Sequence, residues 1–328
     1  MINIGIIGLG KMGTIRAKAI KESSLGRLIS GYDVNSNNSE IDLAKSVDEI
    51  ILNKDIDAIF ICTPNYLNKS LTIKSLEAGK HVFCEKPPAF CAQDVIEIQK
   101  VEKLSGKKLM YGFNHRHHQS IQLIKQFIET DRFGEILWMR GRYGKSVDKS
   151  FFDSWRAKKQ FAGGGILLDQ GIHMLDLFLY LGGNFDEVQA MVSNLFWKLD
   201  IEDNVFATFR NSRTGLIASL HSTMTQWRHL FSLEVFFERG YCVLNGLKTT
   251  SQTYGDEILT YAKNRTTAPA ATWEDEEHIT FHDDKFWNSE VDIFLQAIKD
   301  NSSIPTGNSE DALRLMYLID KIYEQKTF

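Results

Sequence analysis

The sequence lacks several features that would point to particular classes of protein. Only four cysteines occur in 328 residues, and none forms a Cys-x-x-Cys pair. This usage is typical of reduced thiols in the cytoplasm and argues against a disulfide framework. The net charge is −4, and no long block of like charge occurs. Neither nucleic acid nor an acidic membrane surface is therefore an expected partner.

Targeting segments and long apolar runs are also missing. The first residues form a short apolar run broken by Gly5 and Gly8, with no basic stretch before it, so no signal peptide is predicted. The segment "GGGILLDQGIHMLD" (163–176) is apolar, but its two aspartates and its histidine argue against a membrane span. The sequence predicts a soluble cytoplasmic protein of about two domains.

The first third of the chain carries a nucleotide-binding pattern. The run "INIGII" predicts a strand and "TIRAKAIKES" predicts a helix, with Gly8, Gly10 and Gly13 between them. Such glycines permit a tight turn, close approach of the backbone to a pyrophosphate, and packing of the helix on the strand. Lys11 and Met12 lie in the same turn and are assigned to the cofactor site. A plain strand–turn–helix corner is the alternative.

A second strand, "RLISGYD", ends at Asp33, about twenty residues after the last glycine. A carboxylate at this place accepts hydrogen bonds from the adenosine ribose and repels a 2′-phosphate. The following "VNSNNS" contains no arginine or lysine to bind that phosphate. NAD is therefore favoured over NADP, the alternative being that Asp33 only ends a strand.

Apolar strands then alternate with helical segments, as in "DIDAIFICTP", "NYLNKSLTIKSLEAG" and "KHVFCEKPPAF". This alternation predicts an α/β domain with a doubly wound parallel sheet, which binds ligands at the carboxyl ends of its strands. The candidate cofactor residues at such ends are Thr63, Pro64, Asn65, Glu85 and Lys86. With "KKLMYGFN" as its last strand, this domain is predicted to span residues 1–114.

The remaining residues, 115–328, are predicted to form a second, α+β domain. Segments such as "VFATFR", "GLIASLHSTMTQW" and "HLFSLEVFFERGYCVLNG" predict adjacent strands with hairpin turns, and so an open, mostly antiparallel sheet. The polar segment "TTSQTYGDEILTYAKNRTTAPAATWEDEEHI" is interpreted as a mobile surface hairpin, and residues 308–325 as a closing helix that can pack back on the first domain.

The run "GKHVFC" followed by Glu85-Lys86-Pro87 completes a recognisable set of motifs. With the glycine pattern, "ICTPN", "GFNHR" and the D-x-x-x-H of "LLDQGIH", it resembles the glucose–fructose oxidoreductase/inositol dehydrogenase (Gfo/Idh/MocA) family, from residue 1 to at least Gly183. The resemblance implies a Rossmann domain, an NAD cofactor, a polyol, sugar or nucleotide-sugar substrate, and a homodimer or homotetramer. Asn68 stands where the family usually has histidine, and the proline that commonly follows the arginine of "GFNHR" is missing after Arg116.

The apolar segment after the three glycines contains the candidate catalytic residues. A helix from Leu167 to Leu181 would place Asp169, His173, Asp176 and Tyr180 in one polar stripe. Asp176 and Tyr180 are interpreted as buried structural groups. At spacing i, i+4, the Asp169 carboxylate can orient the His173 imidazole and raise its basicity.

The resemblance implies that Lys86, Asp169 and His173 surround the reacting carbinol. We expect His173, held by Asp169, to take the hydroxyl proton and Lys86 to stabilise the charge that develops on oxygen. An exchange of the roles of Lys86 and His173 stays open, since burial can lower the pKa of a lysine.

Substrate recognition is assigned to Arg116, Trp155 and Arg156 together with Asp169 and His173. Trp155 can stack on a sugar or base and Arg156 can bind a carboxylate or phosphate, whereas a core anchor and a surface ion pair are the alternatives. The three histidines in "HRHH" invite a metal interpretation, but no metal is predicted because a further ligand is not evident.

The pattern looks most like that of enzymes acting on nucleotide sugars, with C3 of UDP-N-acetylglucosamine or a relative as the specific hypothesis. Three alternatives stay open: a dehydrogenase of free sugars or polyols, a redox-neutral NAD-using glycosidase or epimerase, and an NAD-binding sugar sensor.

Overall fold

The computed structural model describes residues 1–35, 41–282, 285–326 and 328. Contacts divide the chain into two compact units. The first unit comprises Met1–Asn114, Gln160–Gly163 and Lys285–Tyr317, and the second comprises His115–Lys159, Gly164–Asp284 and Leu318–Phe328. The domain limits inferred from the sequence stay a prediction.

The strands are β1 (Ile2–Ile7), β2 (Gly26–Tyr32), β3 (Ala58–Ile61), β4 (His81–Glu85), β5 (Leu109–Gly112), β6 (Ile136–Ser146), β7 (Glu187–Ser193), β8 (Asn204–Arg210), β9 (Ile217–Thr223), β10 (Thr225–Phe237), β11 (Gly240–Asn245), β12 (Glu257–Lys263) and β13 (Glu277–Phe281). The α-helices are α1 (Lys11–Glu22), α2 (Val47–Leu52), α3 (Asn68–Glu77), α4 (Ala92–Ser105), α5 (Gln119–Glu129), α6 (Lys159–Ala162), α7 (Ile172–Gly182), α8 (Phe286–Lys299) and α9 (Ser309–Tyr323).

The first unit is built on a five-stranded sheet in the order β2-β1-β3-β4-β5. All neighbouring pairs are parallel, which confirms the predicted Rossmann sheet. The central strand β3 is buried at every position, because helices cover both faces of such a sheet. On one face Phe60 and Phe83 stack at 4.7 Å between ring centroids, and Phe294 of α8 packs edge-on against both.

Two buried ion pairs, both made by Arg16, link α1, β4 and α8 within the first unit. Arg16 Nε donates to Glu85 Oε1 at 2.7 Å, and Arg16 Nη2 lies 2.6 Å from Glu290 Oε2. Burial alone would lower the pKa of Arg16, but the Glu290 and Glu85 carboxylates more than offset it and raise that pKa. Gly112 of β5 leaves room for the pair, since a Cβ there would lie 2.8 Å from Glu85 Oε2.

The second unit is built on an eight-stranded sheet in the order β13-β12-β11-β10-β6-β9-β8-β7. Its pairs are antiparallel except for β6 and β9, which are parallel. The predicted fold class is therefore confirmed. The polar segment interpreted as a hairpin contains β12 and the first three residues of β13. These two strands pair at the edge of the sheet.

Helix α7 packs on one face of this sheet. Gly141 of β6 allows the close approach, because a Cβ there would collide with Met174 and lie 2.8 Å from the Phe178 ring. The opposite face exposes apolar side chains, including Met191, Phe206 and Ile217.

Among the residues that the structure describes, none of the helices combines the length and apolar character needed to cross a bilayer.

Candidate active site

The glycine turn between β1 and α1 has the geometry of a dinucleotide cradle. Gly8 adopts φ +94°, and a Cβ on it would collide with the Cys62 backbone at the end of β3. A Cβ on Gly13 would collide with the Gly8 carbonyl. By contrast, a Cβ on Gly10 would meet no described atom within 4 Å, so the backbone at Gly10 is open to a ligand. These are the three roles that the fingerprint glycines have in dinucleotide sites.

The groups around this turn fit NAD. Gly10 is the N-cap of α1, and no described side chain caps the helix, so its first N–H groups can point at a pyrophosphate. Lys11 and Met12 form the first turn of α1. Asp33 Oδ2 accepts a hydrogen bond of 2.7 Å from Leu9 N. The carboxylate that would bind the ribose is therefore fixed directly against the glycine turn.

The other candidate cofactor residues follow β3 and β4. Thr63 and Pro64 come after β3, and Asn65 donates from Nδ2 to Ala162 O at 2.8 Å. Glu85 is buried, with its carboxylate on Arg16 as described above. Lys86 is half-buried directly after β4. The contacts of these residues with the cofactor stay a prediction.

In the second unit, Glu202 holds the start of the segment that carries Asp169 and His173. Glu202 Oε1 accepts hydrogen bonds from Gly165 N at 2.8 Å and Leu167 N at 3.0 Å. The Glu202 carbonyl accepts from Ile166 N at 3.1 Å. Three consecutive N–H groups at a helix start, which lack partners within the helix, are thus satisfied by one residue.

The glycines before this helix make room for the Glu202 contact. A Cβ on Gly165 would collide with the Glu202 carbonyl oxygen, and one on Gly164 would collide with Tyr323 Oη. Tyr323 in turn donates to Glu202 Oε1 at 2.8 Å. Burial raises the pKa of Glu202 despite these hydrogen bonds, which lower it.

The predicted helix over Leu167–Leu181 is present, but its first turn differs from a regular α-helix. Residues Leu167–Gly171 form a π-helical turn, and α7 continues from Ile172. A π-turn contains more residues than an α-turn. The regular spacing used to predict the polar stripe therefore applies only from Ile172 onwards.

Asp169 lies beside two cations. Lys145 Nζ donates to Asp169 Oδ2 at 2.9 Å, and Arg156 Nε lies 3.5 Å from Asp169 Oδ1. The Arg156 guanidinium lies over the Trp155 ring, 4.4 Å from its centroid. The Asp169 side chain is 20% exposed, so a cation-paired carboxylate reaches the surface of this unit.

His173 lies in an aromatic cluster. It is 5% exposed, and its ring stacks on His115 with centroids 4.0 Å apart and planes 14° apart. His115 Nε2 lies 2.9 Å from Tyr143 Oη. Burial and the neighbouring Tyr254 raise the pKa of Tyr143 well above its ordinary value, so this phenol stays neutral beside the two imidazoles.

Asp176 has a different environment from Asp169. Arg116 donates to it from Nε at 2.8 Å and from Nη2 at 2.6 Å, and both residues are buried. The Arg116 guanidinium also lies 5.0 Å from the centroid of the Tyr180 ring, whose hydroxyl accepts from Gln122 Nε2 at 3.1 Å. These contacts agree with the structural role expected for Asp176 and Tyr180. A direct contact of Arg116 with substrate stays a prediction.

Sequence reasoning missed Lys145, Tyr143 and Tyr254. In β6, Met139, Gly141 and Tyr143 are buried alternately, and Lys145 continues the same face. A lysine on the buried face of a strand was the available signal.

In the described part of the chain, no three histidine, cysteine, aspartate or glutamate side chains are arranged to hold a metal ion.

Comparison with family models gives two matches. Residues 2–113 match a model described as the oxidoreductase family with an NAD-binding Rossmann fold, and residues 121–243 match the GFO/IDH/MocA C-terminal domain. The expected NAD cofactor is confirmed by the first match.

The names of the curated relatives are those of enzymes that act on sugars or sugar derivatives. The chain is 38% identical over 146 residues to a levoglucosan dehydrogenase of Pseudarthrobacter phenanthrenivorans, covering 44% of this chain and 37% of that protein. It is 28% identical over 257 residues to the 2,7-anhydro-N-acetylneuraminate hydratase of Escherichia coli, covering 76% and 66%. It is 30% identical over 180 residues to the D-glucoside 3-dehydrogenase of Escherichia coli, covering 49% and 50%. The matches thus span between about a third and two thirds of these relatives.

The fold agrees over nearly the full chain with a solved structure. A levoglucosan dehydrogenase in complex with NADH and levoglucosan superposes with a TM-score of 0.85 at 23% identity. The superposition covers 98% of this chain and 96% of that one.

The first prediction concerns cofactor selectivity. Asp33→Asn removes the charge while keeping an oxygen near Leu9 N, so we expect NAD to bind roughly tenfold more weakly. NADP should bind more tightly than to the native chain, because the repulsion of its 2′-phosphate is removed. Fluorescence titration with both cofactors measures the ratio. Glu77→Gln, an equal charge change at an exposed site on α3, is the control. An unchanged NAD to NADP ratio in Asp33→Asn would contradict the assignment.

The second prediction concerns the Glu202 contact. Glu202→Ala leaves Gly165 N, Leu167 N and Tyr323 Oη without their acceptor. The free energy of unfolding should therefore fall by about 3 kcal/mol, as measured by urea titration. Glu202→Gln keeps an oxygen acceptor, so its free energy of unfolding should fall by less than that of Glu202→Ala.

The pH dependence of Glu202 has a definite sign. Its pKa is raised in the folded protein, so the folded state keeps a proton that the unfolded state releases as pH rises above the ordinary glutamate pKa. The native chain should therefore lose stability relative to Glu202→Gln as pH rises towards the folded pKa. The exposed Glu274→Gln should show no such trend. A trend of opposite sign would refute the account.

Proposed function

Because this chain belongs to the Gfo/Idh/MocA family, we propose that it is an NAD-dependent oxidoreductase that oxidises a secondary hydroxyl of a sugar. The NAD-binding fold of the first unit supports the cofactor half of this proposal. The names of the relatives, two of them sugar dehydrogenases, support the substrate half. In the second unit, Asp169 and His173 provide a carboxylate and an imidazole for proton transfer at the hydroxyl.

The reaction separates a hydride from a proton. Bound NAD supplies the acceptor for the hydride that leaves the carbinol carbon. His173 takes the hydroxyl proton, and Lys86 stabilises the negative charge that develops on the oxygen. In the reverse direction His173 returns the proton.

The observation that carries this assignment is the imidazole stack. With its ring 4.0 Å from that of His115, His173 is a neighbour of a second imidazole, and two adjacent positive charges disfavour each other. The stack therefore favours a neutral imidazole, which is the form that accepts a proton. The position of the His115 ring is fixed by its hydrogen bond to Tyr143.

Asp169 contributes to the proposed proton transfer through its carboxylate, which two ion pairs hold in place. Lys145 and Arg156 hold the Asp169 carboxylate, and we propose that this carboxylate orients His173 as it takes the proton. Asp169 then acts on His173 from a fixed position, without taking a proton itself.

The finer substrate proposal is a nucleotide sugar, with C3 of UDP-N-acetylglucosamine or a relative as the reacting carbon. The stacked Trp155 and Arg156 support it, because an indole can stack on a base or sugar and a guanidinium can bind phosphate. The relatives named for levoglucosan and glucosides support a free sugar or glycoside as the alternative.

The cytoplasmic location stays a prediction.

A redox-neutral enzyme is the second candidate function. The relative named as a hydratase covers 76% of this chain, and hydration involves no net oxidation. In such an enzyme the hydride returns to the substrate within one catalytic cycle.

The third prediction tests the proposed function through the NADH absorbance band. We expect NADH to form when the protein and NAD are mixed with one member of a panel: UDP-N-acetylglucosamine, its uronic acid, levoglucosan, glucosides, free hexoses and polyols. His173→Ala should lower kcat by about a hundredfold or more through loss of the base. His278→Ala, an exposed histidine on β13, should leave it unchanged.

The panel also separates the alternatives. NADH formation with free sugars alone contradicts the nucleotide-sugar proposal but agrees with a sugar dehydrogenase. Conversion of a sugar without accumulated NADH favours the redox-neutral enzyme. NAD binding without conversion of any sugar contradicts both and favours a sensor.

We further propose that a second copy of the chain covers the exposed face of the eight-stranded sheet. Met191, Phe206 and Ile217 lie there on neighbouring strands and are 80%, 51% and 49% exposed. Phe206 also stacks on His221, with ring centroids 4.0 Å apart. Large apolar side chains exposed on one face of a sheet are a feature of protein interfaces.

The fourth prediction follows from this face. The native chain should elute as a dimer or tetramer in size-exclusion chromatography with light scattering, and Phe206→Glu should shift it towards monomer. Leu104→Glu, at an exposed leucine on α4 in the first unit, is the control. A monomeric native chain would contradict the proposal.

A further inference from the structure

Asn68 is a fully buried polar residue with no direct part in the proposed chemistry. It is the first residue of α3 and is 0% exposed. A buried amide must be hydrogen-bonded, since leaving its donors without acceptors costs about 1–3 kcal/mol each. Its partners therefore show what this side chain is positioned to hold.

The Asn68 amide bonds to the ends of two adjacent strands. Nδ2 donates to Glu85 O at 3.2 Å and to Pro87 O at 2.8 Å. Oδ1 accepts from Thr63 Oγ1 at 3.2 Å. Both donors of the amide thus bond to the two carbonyls that flank Lys86.

The segment around Lys86 needs such a partner. It follows the last residue of β4, and its next two residues, Pro87 and Pro88, have no N–H group. A turn with so few donors cannot hold itself by backbone hydrogen bonds, and its buried carbonyls need donors from elsewhere. The Asn68 side chain supplies two of them.

A second contact holds the residue that precedes Lys86. The carboxylate of Glu85, the residue before Lys86, is bound by Arg16 at 2.7 Å. The backbone on both sides of Lys86 and the preceding side chain are therefore fixed by buried groups. The Lys86 side chain itself is half-buried.

We propose that Asn68 is a positioning residue that holds Lys86 in place to act on the sugar hydroxyl. This proposal rests on the role given to Lys86 in the proposed function. Asn68 touches neither substrate nor cofactor in this account, and it acts only through the backbone of the Lys86 turn. A displacement of about 1 Å at a reacting group can cost on the order of a hundredfold in rate.

The test uses Asn68→Asp, which keeps the shape and the acceptor but replaces both donors with an oxygen that faces two carbonyls. Asn68→Ala is the second variant and removes the side chain without adding a charge. Asn68→His is the conservative variant, because its Nδ1 atom occupies the same place along the side chain as Nδ2 of asparagine. Ser75→Ala removes another fully buried polar group from α3 and is the matched control.

We expect kcat to fall by about a hundredfold in Asn68→Asp and Asn68→Ala, with the dissociation constant for NAD nearly unchanged. Asn68→His should recover part of the loss, and Ser75→Ala should match the native chain. Hydrogen exchange followed by mass spectrometry, which needs no substrate, should show faster exchange confined to the peptide containing Lys86.

Three results would overturn the proposal: a kcat in the Asn68 variants equal to that of Ser75→Ala, weaker NAD binding in proportion to the loss of kcat, or variants that unfold. Lys86→Met, measured in parallel, separates this proposal from the one on which it rests. If Lys86→Met keeps full kcat, the role of Lys86 in the proposed function fails. If Lys86→Met loses activity but the Asn68 variants do not, only the positioning role fails.

Discussion

The hydrogen bonds from Gly165 and Leu167 to the Glu202 carboxylate hold the segment on which the proposed proton transfer depends. This segment begins with glycines and a π-helical turn, so its first N–H groups have no partners within a regular helix. A side chain 35 residues away satisfies them. The Lys86 turn shows the same constraint with the opposite polarity, because there carbonyls need donors and Asn68 provides them.

Close approach explains why glycine occupies these places. The Glu202 and Tyr323 contacts leave no space for a Cβ at Gly165 and Gly164, just as the nucleotide turn leaves none at Gly13. The two aspartates of the apolar segment then differ by environment. Asp176 is buried in a bidentate pair with Arg116, whereas Asp169 reaches the surface beside Lys145. The Asp169 side chain is 20% exposed and that of Asp176 is 1% exposed.

The sequence was sufficient to predict the parallel sheet of the first unit and the mixed architecture of the second. Strands such as "AIFI" are apolar at every position because both faces are covered, and that pattern is visible without coordinates. The π-turn was not predictable, because periodicity assumes a regular helix. Lys145 was missed for a similar reason: its importance comes from its contact with Asp169, 24 residues away.

The sequence also identified Asn68 as an unusual residue without showing its role. Its hydrogen bonds reach 17 and 19 residues along the chain, to the two sides of Lys86. Pattern reasoning finds residue types at regular spacing along one element, and contacts between elements lie outside its reach. Candidate catalytic residues are therefore easier to propose from a sequence than the residues that hold them in position.

The central claim is that the chain moves a hydride from a sugar carbon to NAD, and isotope labelling tests it most directly. A sugar from the substrate panel carrying deuterium on the reacting carbon should yield NADH that contains one deuterium, as read by mass spectrometry. NADH without the label, or turnover of the sugar with the deuterium exchanged into water, would contradict direct hydride transfer.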